Sequence, residues 1–371
     1  MEIRRVSSRR DLKKFVKFPF KVYKDSKYWV PPLINDDMNT LRRDRNPAFD
    51  MCEAEYWLVY KDGKIVGRIA GIINHEYIKK HGKKQARFCW LEMIDDFNVC
   101  KKLVETAETW ARGKGMTHLH GPLGFTDFDR DGMLIKGFNE QGTFALSYNH
   151  PYYNDFIEKL GYKKEKDWLE FDITTPDEVP EKVIRIQELV LKRSGLTLVP
   201  ANTKKQLKEY ARRVFYLMNE AYRDLFEFIP LSERQIDNYV EQFFGFINPD
   251  FIKIIINQEG KVVAAGIAIP SLSKALQKSK GRLFPFGFIH FLKALKKPEV
   301  LDLYLVGILP EYQGRGVNSI LMTEITRSAI RCGITRAESL AELEDNKAVQ
   351  DLWKHYEARN HKRRRCYTKK L

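Results

Sequence analysis

The stretch of residues 303–322 combines two hydrophobic periodicities that change at a glycine-containing loop. Up to Ile308 the apolar and β-branched residues follow the pattern of a buried strand, and Pro310 breaks that pattern. The loop Gln313-Gly314-Arg315-Gly316 follows, and from Asn318 onward the apolar residues recur at helical spacing. The sequence therefore predicts a strand, a short glycine loop and the start of a helix.

A strand, loop and helix start in this order can hold a phosphate group. The first N–H groups of a helix have no partners inside it, and the helix dipole adds partial positive charge there. Gly314 and Gly316 carry no Cβ, so a ligand can approach the backbone closely. Arg315 can donate a charged hydrogen bond to a phosphate oxygen. The alternative interpretation is an ordinary glycine turn between a strand and a helix.

The rest of the pattern predicts strands and amphipathic helices in the same order on both sides of a polar segment at residues 174–180. In the first half we predict strands at residues 1–6, 55–60, 65–74, 87–94 and 118–122, and helices near Ser8 and at residues 99–113 and 152–160. In the second half we predict helices at residues 181–193 and 204–223 and after the capping box Ser232-x-x-Gln235, and a strand at residues 337–343. The turn sequence Gly63-Lys64-Ile65-Val66 recurs as Gly260-Lys261-Val262-Val263, which indicates a tandem repeat of one fold.

Composition narrows the class of protein. The chain has 371 residues, 43% of them hydrophobic, which suffices for two domains with real cores. The formal net charge of +15 favours an anionic partner, such as coenzyme A, nucleic acid, an acidic lipid surface or an acidic protein. The five cysteines form no CxxC pair, so we expect neither a metal site nor a disulfide framework. We see no secretory signal and no run of about 18 apolar residues, and therefore expect a cytoplasmic protein without a membrane span.

The glycine loop resembles motif A of the GCN5-related N-acetyltransferases (the GNAT superfamily), which reads Gln/Arg-x-x-Gly-x-Gly/Ala. Here it reads Gln313-x-x-Gly316-x-Asn318, with Asn in place of the last small residue. The helix predicted from Asn346 resembles motif B of the same family. The resemblance implies an α/β (α+β) fold with two tandem GNAT-like domains, each a mixed, mostly antiparallel twisted sheet flanked by helices.

We expect a degenerate GNAT-like domain at residues 1–175, a bridging helix at 176–195, and an acyl-CoA-binding domain at 196–371 with an insertion at 274–299. The connection Asp95-Asp96-Phe97-Asn98 in the first copy has no glycine, and its carboxylates would repel a pyrophosphate. The first copy therefore lacks the cofactor loop. Its loop carboxylates Asp127, Asp129 and Asp131 imitate the start of a calcium loop, but Phe138 stands where the bidentate Glu belongs. We interpret them as solvated carboxylates that could bind an amine.

The resemblance implies that acetyl-CoA or another acyl-CoA is the cosubstrate. The residues it assigns to acyl-CoA are Ile308, Leu309, Gln313, Gly314, Arg315, Gly316, Val317, Asn318 and Asn346. The backbone N–H beside Ile308 would face the thioester carbonyl. The family's acidic tyrosine is replaced by Trp353, and an indole cannot donate a proton at a useful pKa.

Candidate acid and base groups follow from the strand period. Asp302 and Tyr304 share one strand face, as do Glu342 and Glu344. Tyr304 and Tyr356 are the possible substitutes for the missing tyrosine. A structural role for each carboxylate is the alternative, and positioning of a neutral amine could also suffice.

We therefore expect an N-acyltransferase, in first place an acetyltransferase, that acts directly in a ternary complex on a small-molecule or peptide amine. The alternatives are an aminoacyl transferase resembling the Fem family, which uses charged tRNA, and a non-catalytic acyl-CoA-binding protein. A nucleic-acid partner is not favoured, because that family does not need the glycine loop. The basic and aromatic insertion at residues 274–299 indicates either contact with nucleic acid or anionic lipid, or packing over the substrate cleft with its lysines in water. We expect the second. The sequence leaves the oligomeric state open.

Overall fold

The computed structural model describes residues 1–200, 203–245 and 247–371, which form two compact units. The first unit contains Met1–Leu169, Ser273–His290 and His361–Leu371, and the second contains Glu170–Leu272 and Phe291–Asn360. Residues 361–371, which the sequence predicted in the second domain, lie in the first unit, because residues 363–365 and 367–370 pair with strands of that unit. Among the described residues, no helix is long and apolar enough to cross a membrane.

The elements of the first unit follow the predicted order. They are β1 (Glu2–Arg5), α1 (Arg9–Lys17), α2 (Pro19–Val22), α3 (Ile34–Thr40), β2 (Cys52–Lys61), β3 (Lys64–Asn74), α4 (His75–His81), β4 (Gln85–Met93), α5 (Phe97–Gly113), β5 (His118–Gly121), β6 (Met133–Lys136) and α6 (Tyr152–Lys159). Strand β7 (Lys163–Thr174) begins in this unit and ends in the second.

The second unit repeats this order with different lengths. Its elements and those that follow along the chain are α7 (Glu181–Ser194), β8 (Thr197–Leu198), α8 (Lys204–Ala221), α9 (Glu233–Phe244), β9 (Ile252–Ile256), β10 (Val262–Pro270), α10 (Ser273–Ser279), α11 (Gly287–Lys296), β11 (Val300–Ile308), α12 (Val317–Arg331), β12 (Arg336–Ser339), β13 (Glu342–Leu343), α13 (Lys347–Gln350) and β14 (Ala358–Lys370). The predicted capping box at the start of α9 is present, since Ser232 and Gln235 each bond the other's backbone N–H.

The strands of the two units follow the same arrangement. In the first unit the strand order is β1-β2-β3-β4-β5-β14, and in the second it is β12-β11-β10-β9-β8. Neighbours are antiparallel except for one parallel pair in each unit, β4 with β5 and β11 with β12. Each parallel pair is joined by a crossover helix, α5 or α12, that packs on the sheet. The predicted fold class, a mixed and mostly antiparallel sheet flanked by helices, is confirmed.

The recurring turn sequence marks equivalent positions in the two sheets. In the first unit the Ile94 N–H donates to the carbonyl of Val66 at 3.0 Å, and in the second the Leu309 N–H donates to the carbonyl of Val263 at 2.9 Å. Ile94 and Leu309 are therefore equivalent, and each directly follows the last residue of the strand that leads into the crossover helix. Gly307 then stands where the first unit has Glu92.

Candidate active site

The edge of β11 opens beside β12. The parallel pairing runs from Val300 opposite Arg336 to Leu303 opposite Ser339, where β12 ends, whereas β11 continues to Ile308. Residues 304–308 thus present one backbone edge that β12 does not cover. A gap of this kind can receive an extended ligand that bonds to the exposed strand edge.

The ladder with β10 decides which backbone groups face this gap. Because the Leu309 N–H is bonded to Val263, the alternation of an antiparallel ladder turns the polar groups of Ile308 and Val306 away from β10. Their carbonyls confirm this orientation, since Tyr222 Oη donates to Val306 O at 2.8 Å and Gln313 Nε2 to Ile308 O at 3.1 Å. The Ile308 N–H therefore points into the gap. The Leu309 amide is occupied by the sheet, and its side chain is buried.

The glycine loop turns from the strand to the helix through left-handed backbone. Gly314 has φ of 70° and Gly316 of 79°, a region that side chains disfavour. The Arg315 guanidinium lies 5.9 Å from the centre of the Tyr312 ring and is exposed to solvent. A charged donor therefore stands beside the loop that leads into α12.

The first turn of α12 has the features of an anion site. Gly316 is its N-cap, and no side chain bonds the first-turn N–H groups. Val317 is buried and anchors the turn, while Asn318 Oδ1 is buried and has no hydrogen-bond partner. The Ser319 N–H donates to the Gly316 carbonyl at 3.1 Å, whereas the N–H groups of Val317 and Asn318 suit a phosphate. The Asn318 oxygen suits a donor on a bound ligand. The cradle and its unpaired polar atom fit coenzyme A, a pyrophosphate with an amide-bearing arm.

Helix α7 packs against the first turn of α12. A Cβ on Gly316 would lie 3.0 Å from Val190 Cγ2. Further along α12, the buried Gln187 donates from Nε2 to Glu324 at 2.6 Å. The sequence predicts this helix only as a bridge, because its apolar stripe does not show which surface it covers.

Glu342 is the candidate base with the best local support. The Trp353 Nε1–H donates to its two carboxylate oxygens at 2.9 and 3.1 Å. Burial raises the pKa of Glu342 to about 7, although hydrogen bonds from Ser339 and Trp353 act in the opposite direction. Trp353 thus orients a carboxylate whose pKa suits proton transfer near neutrality.

The other candidate acid and base residues lie in different environments. Tyr356 Oη lies 3.3 Å from Thr326 Oγ1 of α12, its ring packs 6.2 Å from Trp353, and burial raises its pKa. Tyr304 packs 5.5 Å from the Phe243 ring of α9. Asp302 is fully buried on β11, opposite Glu338, which favours a structural role. The structure thus places Glu342 and Tyr356 around Trp353.

Asn346, carried over from motif B, is the residue before the short helix α13. Its carbonyl accepts from the N–H groups of Val349 and Gln350, both at 3.3 Å, so its backbone starts the helix. Its side chain forms no capping bond and is half-buried. The amide is thus available to a ligand.

Residues 214–356 match the family profile described as the acetyltransferase (GNAT) family. The match covers the part of the second unit that contains the glycine loop and α12, and this part is similar to GNAT acetyltransferases. A tandem GNAT protein from the clavulanic acid biosynthesis pathway, solved without acetyl-CoA, superposes with a TM-score of 0.58 at 14% identity, covering 100% of this chain and 98% of that one. A GNAT protein from Sphaerobacter thermophilus superposes with a TM-score of 0.50 at 13% identity, covering 100% and 95%. Both similarities concern the fold.

Two curated proteins are similar over nearly their whole length. The protein YghO of Escherichia coli K12 is 27% identical over 376 residues, which cover 100% of this chain and 95% of that protein. The bacterial ceramide synthase of Caulobacter vibrioides is 26% identical over 374 residues, covering 97% and 95%.

In the first unit, two of the loop carboxylates accept hydrogen bonds from the backbone of their own loop. Asp129 Oδ2 accepts from the Phe125 N–H at 2.7 Å, and Asp131 Oδ1 from the Gly124 N–H at 2.8 Å. Burial raises the pKa of Asp129 to about 6 and that of Asp131 well above its usual value. The description of these two as solvated groups is therefore wrong, since they close a loop.

One polar cluster in the first unit has no counterpart in the sequence analysis. Ligand-type atoms of His120, Glu165 and Cys366 lie within 4.8 Å of one another. His120 Nδ1 is 3.0 Å from Glu165 Oε2, and Cys366 Sγ is 3.6 Å from the same oxygen. Hydrogen bonds among them account for the arrangement. These residues are far apart in sequence, so no spacing signal could have revealed them.

Proposed function

We propose that the protein is an acyl-CoA-dependent N-acyltransferase that uses the β11–α12 site of the second unit. The observation that supports this most is the uncapped N-terminus of α12 at Gly316, next to the open edge of β11, in a GNAT domain. In this proposal the α12 N–H groups and Arg315 bind the pyrophosphate. The edge at residues 304–308 and the amides of Asn318 and Asn346 bind the pantetheine arm.

The reaction is direct transfer within a ternary complex. The amine nitrogen attacks the thioester carbonyl, a C–N bond forms, the C–S bond breaks, and coenzyme A leaves as the thiolate. The Ile308 N–H stabilises the oxyanion. Glu342 accepts the amine proton, because its pKa of about 7 leaves a large fraction ionised at neutral pH. Tyr356 is protonated at that pH, since its pKa is raised, and returns a proton to the sulfur.

The proposal extends to the identity of the acyl donor and of the acceptor amine. The relative from Caulobacter is named a bacterial ceramide synthase, and a ceramide is an amide of a fatty acid with a long-chain amine. This name favours a fatty acyl donor over acetyl and a lipid amine as acceptor. An acetyl donor with a small or peptide amine is the competing pair.

The test uses the full chain with acetyl-CoA or palmitoyl-CoA and three amines: a long-chain amino alcohol, a polyamine and a peptide with a free N-terminus. Thiol release is followed continuously, and the amide is identified by mass spectrometry. We expect thiol release that requires an amine, the matching amide, and loss of both with Glu342→Gln.

Binding of coenzyme A without turnover on any amine would contradict the enzyme proposal and leave a binding protein. Salt-sensitive binding of tRNA without affinity for coenzyme A would instead support an aminoacyl transferase.

A further inference from the structure

An exposed apolar cluster lies in the first unit between α10 and the start of α11. Phe284 and Phe286 are 76% and 73% exposed, and Ile289 is 51% exposed. The rings of Phe284 and Phe288 lie 6.2 Å apart. The expectation that the insertion packs over the substrate cleft with its lysines in water does not account for these exposed apolar side chains. Large apolar groups exposed together mark an interaction surface.

The cluster is held by specific bonds to the body of the first unit. The Gly281 carbonyl accepts from the Ile34 N–H at 3.0 Å, and Gln277 Nε2 donates to the carbonyls of Lys27 and Trp29 at 3.0 Å each. A Cβ on Gly281 would lie 2.2 Å from the Pro32 carbonyl oxygen. These bonds fix the segment that precedes the phenylalanines, so their exposure is built into the fold.

Helix α11 extends the apolar surface along one side. Leu292, 57% exposed, follows Phe288 by one turn and Ile289 by three residues, so the three share a helix face. Phe291 lies on the other side and is buried. The helix therefore exposes one apolar face to solvent and buries Phe291 on its other side. Contact with solvent alone does not explain the exposed apolar face.

Basic residues stand on both sides of this cluster, and no acidic residue occurs from residue 274 to residue 298. The exposed cations are Lys274, Lys278, Lys280, Arg282, Lys293, Lys296 and Lys297. Apolar side chains between cations match a lipid surface, where hydrocarbon lies beneath anionic headgroups. Ile289 and Leu292 have no flat face on which a base could stack, so the cluster fits hydrocarbon better than nucleic acid.

We propose that residues 278–293 dock the protein on an anionic bilayer surface, with the phenylalanines entering the acyl boundary and the cations meeting lipid phosphates. This surface lies outside the β11–α12 site, and the inference does not depend on acyl transfer. It is an association with the membrane surface, consistent with the absence of a helix long enough to cross a membrane in the described part of the chain.

The test measures cosedimentation of the full chain with vesicles of phosphatidylcholine alone or mixed with phosphatidylglycerol. We expect binding to the anionic vesicles that weakens with salt. Phe284→Ser with Phe286→Ser should lower the partition coefficient at least about tenfold, because burying one large apolar side chain is worth that factor. Replacing Lys278, Lys280 and Arg282 by Gln should also weaken binding and flatten its dependence on salt.

The matched control is Ile186→Ser with Leu189→Ser, an exposed apolar pair on α7, which should bind like the parent. Melting curves verify that every variant is folded. Equal partition of the phenylalanine variant and the parent would overturn the proposal. So would tighter binding to duplex RNA than to vesicles, or a dimer in solution that only the phenylalanine substitutions dissociate.

Discussion

The two units join strand to crossover helix at equivalent places and in different ways. In the first unit, Asp96 caps α5 by accepting from the Asn98 N–H at 3.0 Å, and Lys61 lies 3.0 Å from the same carboxylate. In the second unit, Gly316 stands at the N-cap of α12 and no side chain bonds the helix start. The N-terminus of α5 is capped by a carboxylate of the chain itself. The N-terminus of α12 has no side-chain cap and can bind an anionic ligand.

The same contrast occurs at the strand ends. Glu92 near the end of β4 accepts from the hydroxyls of Tyr23 and Tyr153, and burial raises its pKa. The equivalent Gly307 has no side chain, and a Cβ there would lie 2.6 Å from Met218 Sδ. One topology thus serves two purposes, because side chains decide whether the end of the strand is filled.

The largest expected effect comes from making the second helix start resemble the first. Arg315→Glu with Gly316→Asp adds two carboxylates and removes a cation, so the affinity for acyl-CoA should fall about a hundredfold or more. Isothermal titration measures the change, with Lys182→Glu on α7 as the charge control. An unchanged dissociation constant in a folded double variant would show that phosphate binds elsewhere.

Glu342→Gln should lower the saturated rate by a factor of about 10² to 10⁴, the range for loss of a general base. The parent's rate should rise with pH and level off above about pH 7, because only the ionised carboxylate accepts a proton. The variant's residual rate should lack that rise. Glu344→Gln is the matched control, and an equal loss there would contradict the assignment.

Glu342→Gln should also change how the melting temperature depends on pH. The folded-state pKa of Glu342 is raised above its ordinary value of 4.5, so its favourable contribution is present below that pH and is lost as pH rises through about 7. Glu342→Gln should therefore match the parent's melting temperature in acid and exceed it above pH 7. A variant that melts lower at pH 8 than the parent would contradict the burial of this carboxylate.

Trp353→Phe should move the pH profile and leave the fold intact. It removes the N–H that bonds the carboxylate and lowers its pKa, so the pKa of Glu342 should rise. The midpoint of the rate profile should shift upward accordingly. A loss of rate with the midpoint unchanged would give the tryptophan a packing role only.

The smallest effect is expected in the first unit. Asp96→Ala removes an N-cap, which costs about 0.5–2 kcal/mol of stability, and should leave acyl-CoA affinity unchanged. The Lys61 hydrogen bond lowers the pKa of Asp96, so its contribution is present at neutral pH and lost as pH falls through the folded-state pKa. Melting of parent and variant from pH 7 to pH 3 checks this. A gain in acyl-CoA affinity would contradict the contrast between the two helix starts.

Local pattern predicted much of the fold. The strand before the glycine loop, the crossover helices and the capping box at Ser232 depend on neighbours in sequence, and the structure has them. Long-range pairing escaped the sequence. Residues 367–370 pair with β5, and α7 packs against the start of α12, because sheet partners and helix faces are chosen by tertiary contacts.

Two side-chain environments could not be read from residue type. The resemblance to motif B implies that Trp353 stands where the family has a tyrosine, but it does not show that the indole binds Glu342. The apolar run at residues 283–288 has the composition of a core segment, yet Phe284 and Phe286 are exposed. Burial depends on what the rest of the chain covers, and composition alone does not record it.

The most direct test of the central claim is amide hydrogen exchange of the full chain with and without coenzyme A, compared at the two helix starts. The account predicts slower exchange in residues 316–320 at the start of α12 and no change in residues 96–100 at the start of α5. Protection at the start of α5, or saturating coenzyme A with no protection at the start of α12, would contradict it.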